Sequence, residues 1–128
     1  MSGPSSKSER RLAGGIGVMT SASGAALVVA PRLVLRVLGA GRREPAGFFV
    51  QVVGMFMMAS GGLLADGSRR DPPSGIALRW SFAQKLGAAI AISLGVRSGR
   101  LGRQAVAVAA IDGLSAALIA KLLVDARG

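Results

Sequence analysis

Residues 46–65 read AGFFVQVVGMFMMASGGLLA and contain no charged side chain. Gln51 and Ser60 are the clearly polar side chains of this stretch. A helix that is apolar on every side belongs in a lipid bilayer or in the core of a large protein, and a chain of 128 residues is too small to enclose several such helices. The stretch also has about the 20 residues that a helix needs to cross a bilayer core of about 30 Å. It therefore predicts a membrane-spanning helix.

Three further apolar stretches accompany this one along the chain. The four predicted spans are Leu12–Ala30, Ala46–Ala65, Ser81–Val96 and Gln104–Val124. The third is slightly shorter than the usual range of about 17 to 25 residues. Because short connections make neighbouring helices antiparallel, the sequence predicts an all-α integral membrane four-helix bundle of up-down-up-down topology over residues 12–124. Residues 1–11 are expected to form a disordered polar tail, and residues 125–128 a short C-terminal tail.

Pro31 is expected to end or kink the first helix, because proline lacks an amide proton and collides with the preceding helical turn. Arg32 and Arg36 follow one turn apart among aliphatic residues. This pattern is typical of a short interfacial helix whose arginines point toward the headgroups. It also fits an extension of the first span whose arginines snorkel. The sequence leaves these two alternatives open.

The composition limits the chemistry that the chain performs. It has no Cys, no His and only six acidic residues. The commonest general base and metal ligand is therefore missing, and so are disulfides and thiolate nucleophiles. We expect no catalytic site, no metal site and no cofactor, so the chain is not expected to be an enzyme.

The formal net charge of +10 comes from basic residues that lie almost wholly between or beside the apolar stretches. At these positions they meet the anionic headgroups of a bilayer, and no basic run is interleaved with aromatic residues. We therefore expect the lipid bilayer, and not a nucleic acid, as the partner of these charges. A slight excess of basic residues on the side of the termini favours a multi-pass protein with both termini in the cytoplasm.

The third and fourth predicted helices each carry small residues at four-residue spacing. These ladders are Ala83, Gly87, Ala91 and Gly95 in the third helix, and Ala105, Ala109, Gly113 and Ala117 in the fourth. Small residues at this spacing let helix backbones approach closely in lipid, so we predict that the ladders are packing faces. The alternative is that some matches arise by chance, since Ala and Gly are abundant. Whether the third helix packs on the fourth or on another copy stays open.

Lys85 and Asp112 are the ionisable residues deepest in the predicted spans. Such residues are costly when unpaired in a membrane and tend to face the bundle interior. The two lie at similar depths in a helical hairpin, so an ion pair between them is one hypothesis. The other is that each charge is satisfied separately near an interface. Gln51 and Gln84 are the remaining polar candidates, for a polar cavity or for hydrogen bonds between helices.

Several short motifs carry a family resemblance over residues 12–124. They are the Ala30-Pro31 end of the first helix with the following Leu35–Gly39, the Ala59–Leu64 end of the second, Arg79 and Lys85 near the start of the third, and the central Asp112 of the fourth. This order resembles the small four-helix bacterial membrane proteins of the loosely defined DoxX-like group. Some of these accompany quinone-linked oxidoreductases as small subunits. The resemblance implies an accessory role in a bacterial inner membrane and contact with a lipophilic molecule.

These observations lead to two functional hypotheses. The first is a small non-catalytic integral membrane protein that acts as an accessory or assembly subunit of a larger membrane complex, or as a homo-oligomer. The alternative is a binding or carrier protein for a small lipophilic molecule such as a quinone or a lipid. Its pocket would lie around Gln51, Met55, Gln84 and Asp112.

Overall fold

In the computed structural model, the described residues are 6–40 and 46–126, and among residues 46–48 only the backbone is described. The helices are α1 (Lys7–Val29), α2 (Pro31–Val37), α3 (Ala46–Arg69), α4 (Gly75–Arg97) and α5 (Val106–Asp125), and a 3-10 turn, Arg103–Ala105, precedes α5. The described part of the chain contains no strand, so the predicted all-α class is confirmed.

Three of the long helices are long and apolar enough to cross a membrane. They are α1, the Phe49–Arg69 part of α3, and the segment Arg103–Asp125 that includes α5. The helix α4 has a similar length but carries Arg79, Gln84 and Lys85, and it does not reach the same hydropathy. Length and composition therefore support three spans in the described residues, where the sequence predicted four.

The helix α1 begins at Lys7, so the prediction that residues 1–11 are a disordered tail is wrong for residues 7–11. The Ser6 hydroxyl accepts a hydrogen bond from the Glu9 amide at 3.2 Å, and the Glu9 carboxylate accepts one from the Ser6 amide at 2.9 Å. This capping box satisfies backbone donors that the first turn leaves free. It lets the helix start in a polar stretch, ahead of the apolar residues. Residues 1–5 lie outside the described residues.

The helix α4 also begins earlier than predicted, at Gly75 instead of Ser81. The Ser74 hydroxyl accepts a hydrogen bond from the Ala77 amide and caps this end. The preceding helix, α3, does not stop at its predicted end, Ala65, but continues through charged residues to Arg69. The predicted boundaries followed the end of apolar composition, whereas the helices end where capping or loop geometry stops them.

Pro31 separates α1 from α2. The helix α1 ends at Val29, Ala30 has a non-helical backbone with φ −135° and ψ 57°, and Pro31 occupies the first turn of α2. The first position of a helix suits proline because its missing amide proton has no helical partner there. A short separate helix therefore forms, and a continuous extension of the first span does not. Arg32 and Arg36 are both exposed on it.

The helices α1 and α3 pack antiparallel through pairs of glycines seven residues apart. Gly17 faces Gly61, and Gly24 faces Gly54. A Cβ on Gly17 would lie 2.5 Å from the Ala65 amide nitrogen, and one on Gly24 would lie 2.5 Å from the Gly54 carbonyl oxygen. Seven residues are about two helical turns, so both contacts lie on one face of each helix. The two backbones approach so closely that a side chain at these positions overlaps the facing helix.

The four long helices meet in a small apolar core near the end of the molecule that carries the described termini. Its buried members are Ala13 of α1, Leu64 of α3, Leu78 of α4, and Ile119 and Leu122 of α5. At the opposite end, the Gly102 amide donates a hydrogen bond to the Leu38 carbonyl at 3.0 Å. This bond ties the chain after α2 to the connection between α4 and α5. The α1–α3 pair and the α4–α5 pair are thus joined at both ends.

The close α1–α3 contact predicts opposite effects for two neighbouring glycines. Gly17→Ala should lower the free energy of unfolding by about 1–3 kcal/mol, the usual cost of overpacking, because its methyl group meets the α3 backbone. Gly15→Ala is the matched control, because a Cβ there has no neighbour within 4 Å; it should be neutral or stabilising, since alanine favours helix more than glycine does. Thermal unfolding in detergent, followed by circular dichroism, measures both. Equal unfolding temperatures for the two variants would contradict the packing.

Candidate functional site

The most distinctive chemical feature of the described residues is a buried ion pair between α4 and α5. Lys85 Nζ donates a hydrogen bond to Asp112 Oδ1 at 2.8 Å. The two side chains are only 4% and 11% exposed. Of the two alternatives left by the sequence, the structure has the pair, and neither charge is satisfied separately at an interface.

This pair is set among buried apolar and small residues on both helices. On α4, the buried face is formed by Ala77, Leu78, Ser81 and Lys85. On α5, it is formed by Ala109, Asp112, Ser115, Ala116, Ile119, Leu122 and Asp125. The buried positions recur every three or four residues, which places them along one stripe of each helix. Lys85 and Asp112 each occupy a position in such a stripe.

Because both side chains are buried, the stability of the protein depends on the presence of both charges. An ion removed from water without a counter-charge is costly, and removing one partner of a buried pair typically costs about 3–5 kcal/mol. Replacing both partners by apolar side chains of similar volume is often neutral. The pair therefore fixes the register of α4 against α5, because a shift of either helix would leave two buried charges without a partner. Among the described residues, no further ionisable side chain forms an ion pair with either partner.

The orientation that buries Lys85 turns the α4 ladder outward. Ala83, Gly87 and Ala91 are exposed, and a Cβ on Gly87 would meet nothing within 4 Å. Gly87 lies about 160° around the helix from Lys85, so the two residues occupy opposite sides. Gly95 contacts the Leu101 side chain in the turn after α4. The α4 ladder therefore does not form the contact with α5, and packing against another copy or another protein stays a prediction.

The α5 ladder is divided between the inside and the outside. Ala105 and Ala109 are buried, Gly113 is half-buried with nothing within 4 Å of a built Cβ, and Ala117 is exposed. A step of four residues turns the helix by about 40° more than one full turn. Three such steps carry the ladder from the inner face to the outer one. A strict four-residue spacing thus predicts only the first half of this contact.

The residues suggested for a lipophile pocket do not come together. The Gln51 side-chain amide donates to the Val28 carbonyl at 2.9 Å and belongs to the α1–α3 contact. Asp112 is engaged with Lys85 in the α4–α5 contact. Met55 is 63% exposed on α3, and Gln84 is half-buried on α4. A pocket formed jointly by these four side chains is therefore absent from the described structure.

Some buried polar residues were not anticipated from the sequence. Thr20 Oγ1 and Ser81 Oγ are buried without a hydrogen-bond partner in the described structure. Ser81 lies four residues before Lys85 on the same face of α4, and this spacing is the signal that could have identified it. Ser21 Oγ donates to the Met58 carbonyl at 2.7 Å and adds a polar link between α1 and α3.

Asp125 is a correction to the predicted C-terminal tail. It is the last residue of α5 and its side chain is 2% exposed. Lys121, one turn earlier, lies 3.1 Å from its Oδ2 and also forms an ion pair with Glu9 of α1. These contacts hold Asp125 against the molecule instead of leaving it in a free tail. Among the described residues, no three acidic side chains cluster as a metal ion would require.

The ion pair predicts a strongly non-additive double-mutant cycle. Lys85→Met or Asp112→Leu alone should lower the free energy of unfolding by about 3–5 kcal/mol, because each leaves a buried charge without a partner. The double variant should recover most of that loss, since it buries no charge. Chemical or thermal unfolding in detergent measures the three variants. Losses that simply add in the double variant would show that the two side chains are not coupled.

The function has to be inferred from these geometric observations, because the comparisons with known proteins find no match. No protein-family model matches the chain, and no match is found among curated proteins or among solved structures. The resemblance to the DoxX-like group therefore stays a prediction that depends on short motifs.

Proposed function

We propose that the chain is a non-catalytic membrane protein that spans the bilayer four times and associates with a partner through the outer face of α4. In this proposal it is an accessory or assembly subunit of a larger complex, or a homo-oligomer, in a bacterial inner membrane with both termini in the cytoplasm. The observation that carries the proposal is the exposure of Ala83, Gly87 and Ala91 on the side of α4 opposite the buried Lys85.

Whether α4 can serve as the fourth span depends on where its charged side chains lie. Lys85 lowers the hydropathy of α4, but its charge is neutralised inside the protein by Asp112. Between Arg79 and Arg97, Lys85 is the one charged residue. These two arginines are separated by about 27 Å of helix, close to the thickness of a bilayer core. Trp80 is 69% exposed beside Arg79 and has the position of an interfacial anchor.

The outer face of α4 has the properties of a helix-packing surface in lipid. Lipid tails are as apolar as leucine, so helices in a bilayer associate through close backbone approach and polar contacts. The ladder of small residues offers such an approach, and the exposed side chains of Leu86, Ile90 and Leu94 lie beside it. The α1–α3 pair of the same chain already uses glycines in this way. The missing Cys and His argue against redox or acid–base chemistry of its own.

The alternative function is a carrier of a small lipophile such as a quinone or a lipid. The geometry of the residues predicted to form its pocket does not support this function. Gln51, Met55 and Asp112 belong to separate parts of the structure, and Asp112 is occupied by its ion pair. The accessory or self-associating role is therefore the better-supported function. A lipophile that remains bound through purification, with no associated protein, would favour the carrier.

The proposal predicts that a bulky residue in the α4 ladder weakens association. Gly87→Leu should raise the dissociation constant at least tenfold, because its side chain keeps the partner helix at a distance. Gly15→Leu is the matched control, since Gly15 is also exposed with no neighbour within 4 Å of a built Cβ but lies on α1. Native mass spectrometry after mild-detergent purification identifies the partner, and dilution in vesicles with energy transfer gives the constant.

Two results would count against this proposal. One is unchanged association of Gly87→Leu, which would separate the ladder from assembly. The other is a wild-type chain that remains monomeric in vesicles and purifies without a stoichiometric protein partner. Gly113→Leu tests the half-buried part of the α5 ladder in the same assay, and it should also weaken association if the partner reaches α5.

A further inference from the structure

A cavity of about 420 Å³ lies at the end of the molecule where α1 begins and α3 ends. It is lined by Lys7, Arg10, Arg11, Ser68, Arg69 and Asp71. Four cationic side chains and one carboxylate give this lining a net formal charge of +3. We propose that this cavity binds the phosphate group of an anionic phospholipid headgroup. The proposal concerns residues of α1, α3 and the chain after α3; it rests on the membrane embedding in the proposed function but not on protein association.

Within the described part of the chain, most of the positive charge in the cavity has no carboxylate partner. Arg10 lies 3.0 Å from Asp71 and also donates to the Arg70 carbonyl at 3.4 Å. Lys7, Arg11 and Arg69 have no carboxylate within ion-pair distance among the described residues. Three like charges around one concave surface repel each other, and an anion between them relieves that repulsion.

The remaining acids at this end are already paired with other cations. Asp66 pairs with Arg70 at 2.7 Å, whereas Glu9 and Asp125 both pair with Lys121. They are therefore not available to neutralise the cavity. Arg70 and Lys121 at this end therefore have carboxylate partners, whereas the cavity lining keeps an excess of positive charge.

Part of the cavity lining is positioned by contacts within the protein. The Arg10 side chain is only 17% exposed and is fixed by its bonds to Asp71 and to the chain after α3. The Arg69 side chain passes over Gly14, where a built Cβ would be 3.4 Å from Arg69 Nε. The buried Ser68 hydroxyl makes a long hydrogen bond of 3.5 Å to its own helix.

The chemistry of the donors fits phosphate. Guanidinium groups bind phosphate oxygens with two parallel hydrogen bonds, and they carry their charge at every physiological pH. Basic pockets between membrane helices on the cytoplasmic side bind the headgroups of anionic lipids. Arg11 and Arg69 supply two guanidinium groups from two different helices, with a lysine beside them.

Position in the molecule favours a lipid over a soluble phosphate. The cavity is formed by the first turns of α1 and the last turn of α3, at one end of two candidate membrane spans. Leu12, next to Arg11, is 59% exposed, and Leu63 on α3 is 47% exposed. Leu12 and Leu63 lie nearer the middle of the two candidate spans than the charged residues of the lining do. A phosphate held in the cavity is thus placed where acyl chains run along exposed apolar surface.

The test uses the full chain in nanodiscs of phosphatidylcholine, titrated with phosphatidylglycerol and followed by native mass spectrometry. The double variant Arg11→Gln, Arg69→Gln should bind phosphatidylglycerol at least tenfold more weakly than the wild type. The matched control is Arg36→Gln, Arg103→Gln, which removes the same charge at the opposite end of the molecule, where both arginines are exposed. This control should change binding less than twofold. Circular dichroism checks that each variant remains folded.

Two outcomes would overturn the proposal, and a third would overturn its assignment to lipid. Equal weakening in both double variants would mean that net charge, and not the cavity, attracts the lipid. Equal binding of phosphatidylcholine and phosphatidylglycerol by the wild type would show that no anionic headgroup is recognised. If inorganic phosphate displaces phosphatidylglycerol when the two are present at equal concentrations, the site binds a soluble phosphate instead.

Discussion

The buried Lys85–Asp112 pair decides which faces of α4 and α5 meet. Each charge is held in a low-dielectric interior, so each depends on the other for its solvation. A rotation of α4 that brought its small residues toward α5 would carry Lys85 outward and leave Asp112 unpaired. The outward direction of Ala83, Gly87 and Ala91 follows from this constraint. The surface that we propose for assembly is thus a consequence of the ion pair on the opposite side of the helix.

The two halves of the molecule, the α1–α3 pair and the α4–α5 pair, are held together by different kinds of contact. In lipid, burial of apolar surface does not by itself bring helices together. The helices α1 and α3 associate through close backbone contact at glycines, with hydrogen bonds from Ser21 and Gln51 across the contact. The helices α4 and α5 associate around one charged pair. At the end that carries the described termini, a small apolar core joins the halves, and the same end carries the cationic cavity proposed to hold a lipid headgroup.

The sequence predicts the helices and the two deepest charges correctly, but it misplaces several details. It predicts that α1 starts at Leu12 after a disordered polar tail, whereas Ser6 and Glu9 cap the helix at its polar beginning. It gave equal weight to all four positions of each ladder, whereas a four-residue spacing drifts around a helix. The contact of Gly17, Ser21 and Gly24 with α3 depends on the facing residues of that helix, which the pattern of α1 alone does not reveal.

Composition along the chain is enough to predict the all-α class, the apolar segments that can cross a bilayer, and the scarcity of catalytic side chains. The inner and outer faces of the helices become clear only when the packing of the helices is known. The helices are apolar around most of their circumference, so no contrast between polar and apolar sides marks the interior. The choice depends on matches between two helices at once, such as Gly17 with Gly61 or Lys85 with Asp112. Such matches exist only when the helices are placed side by side.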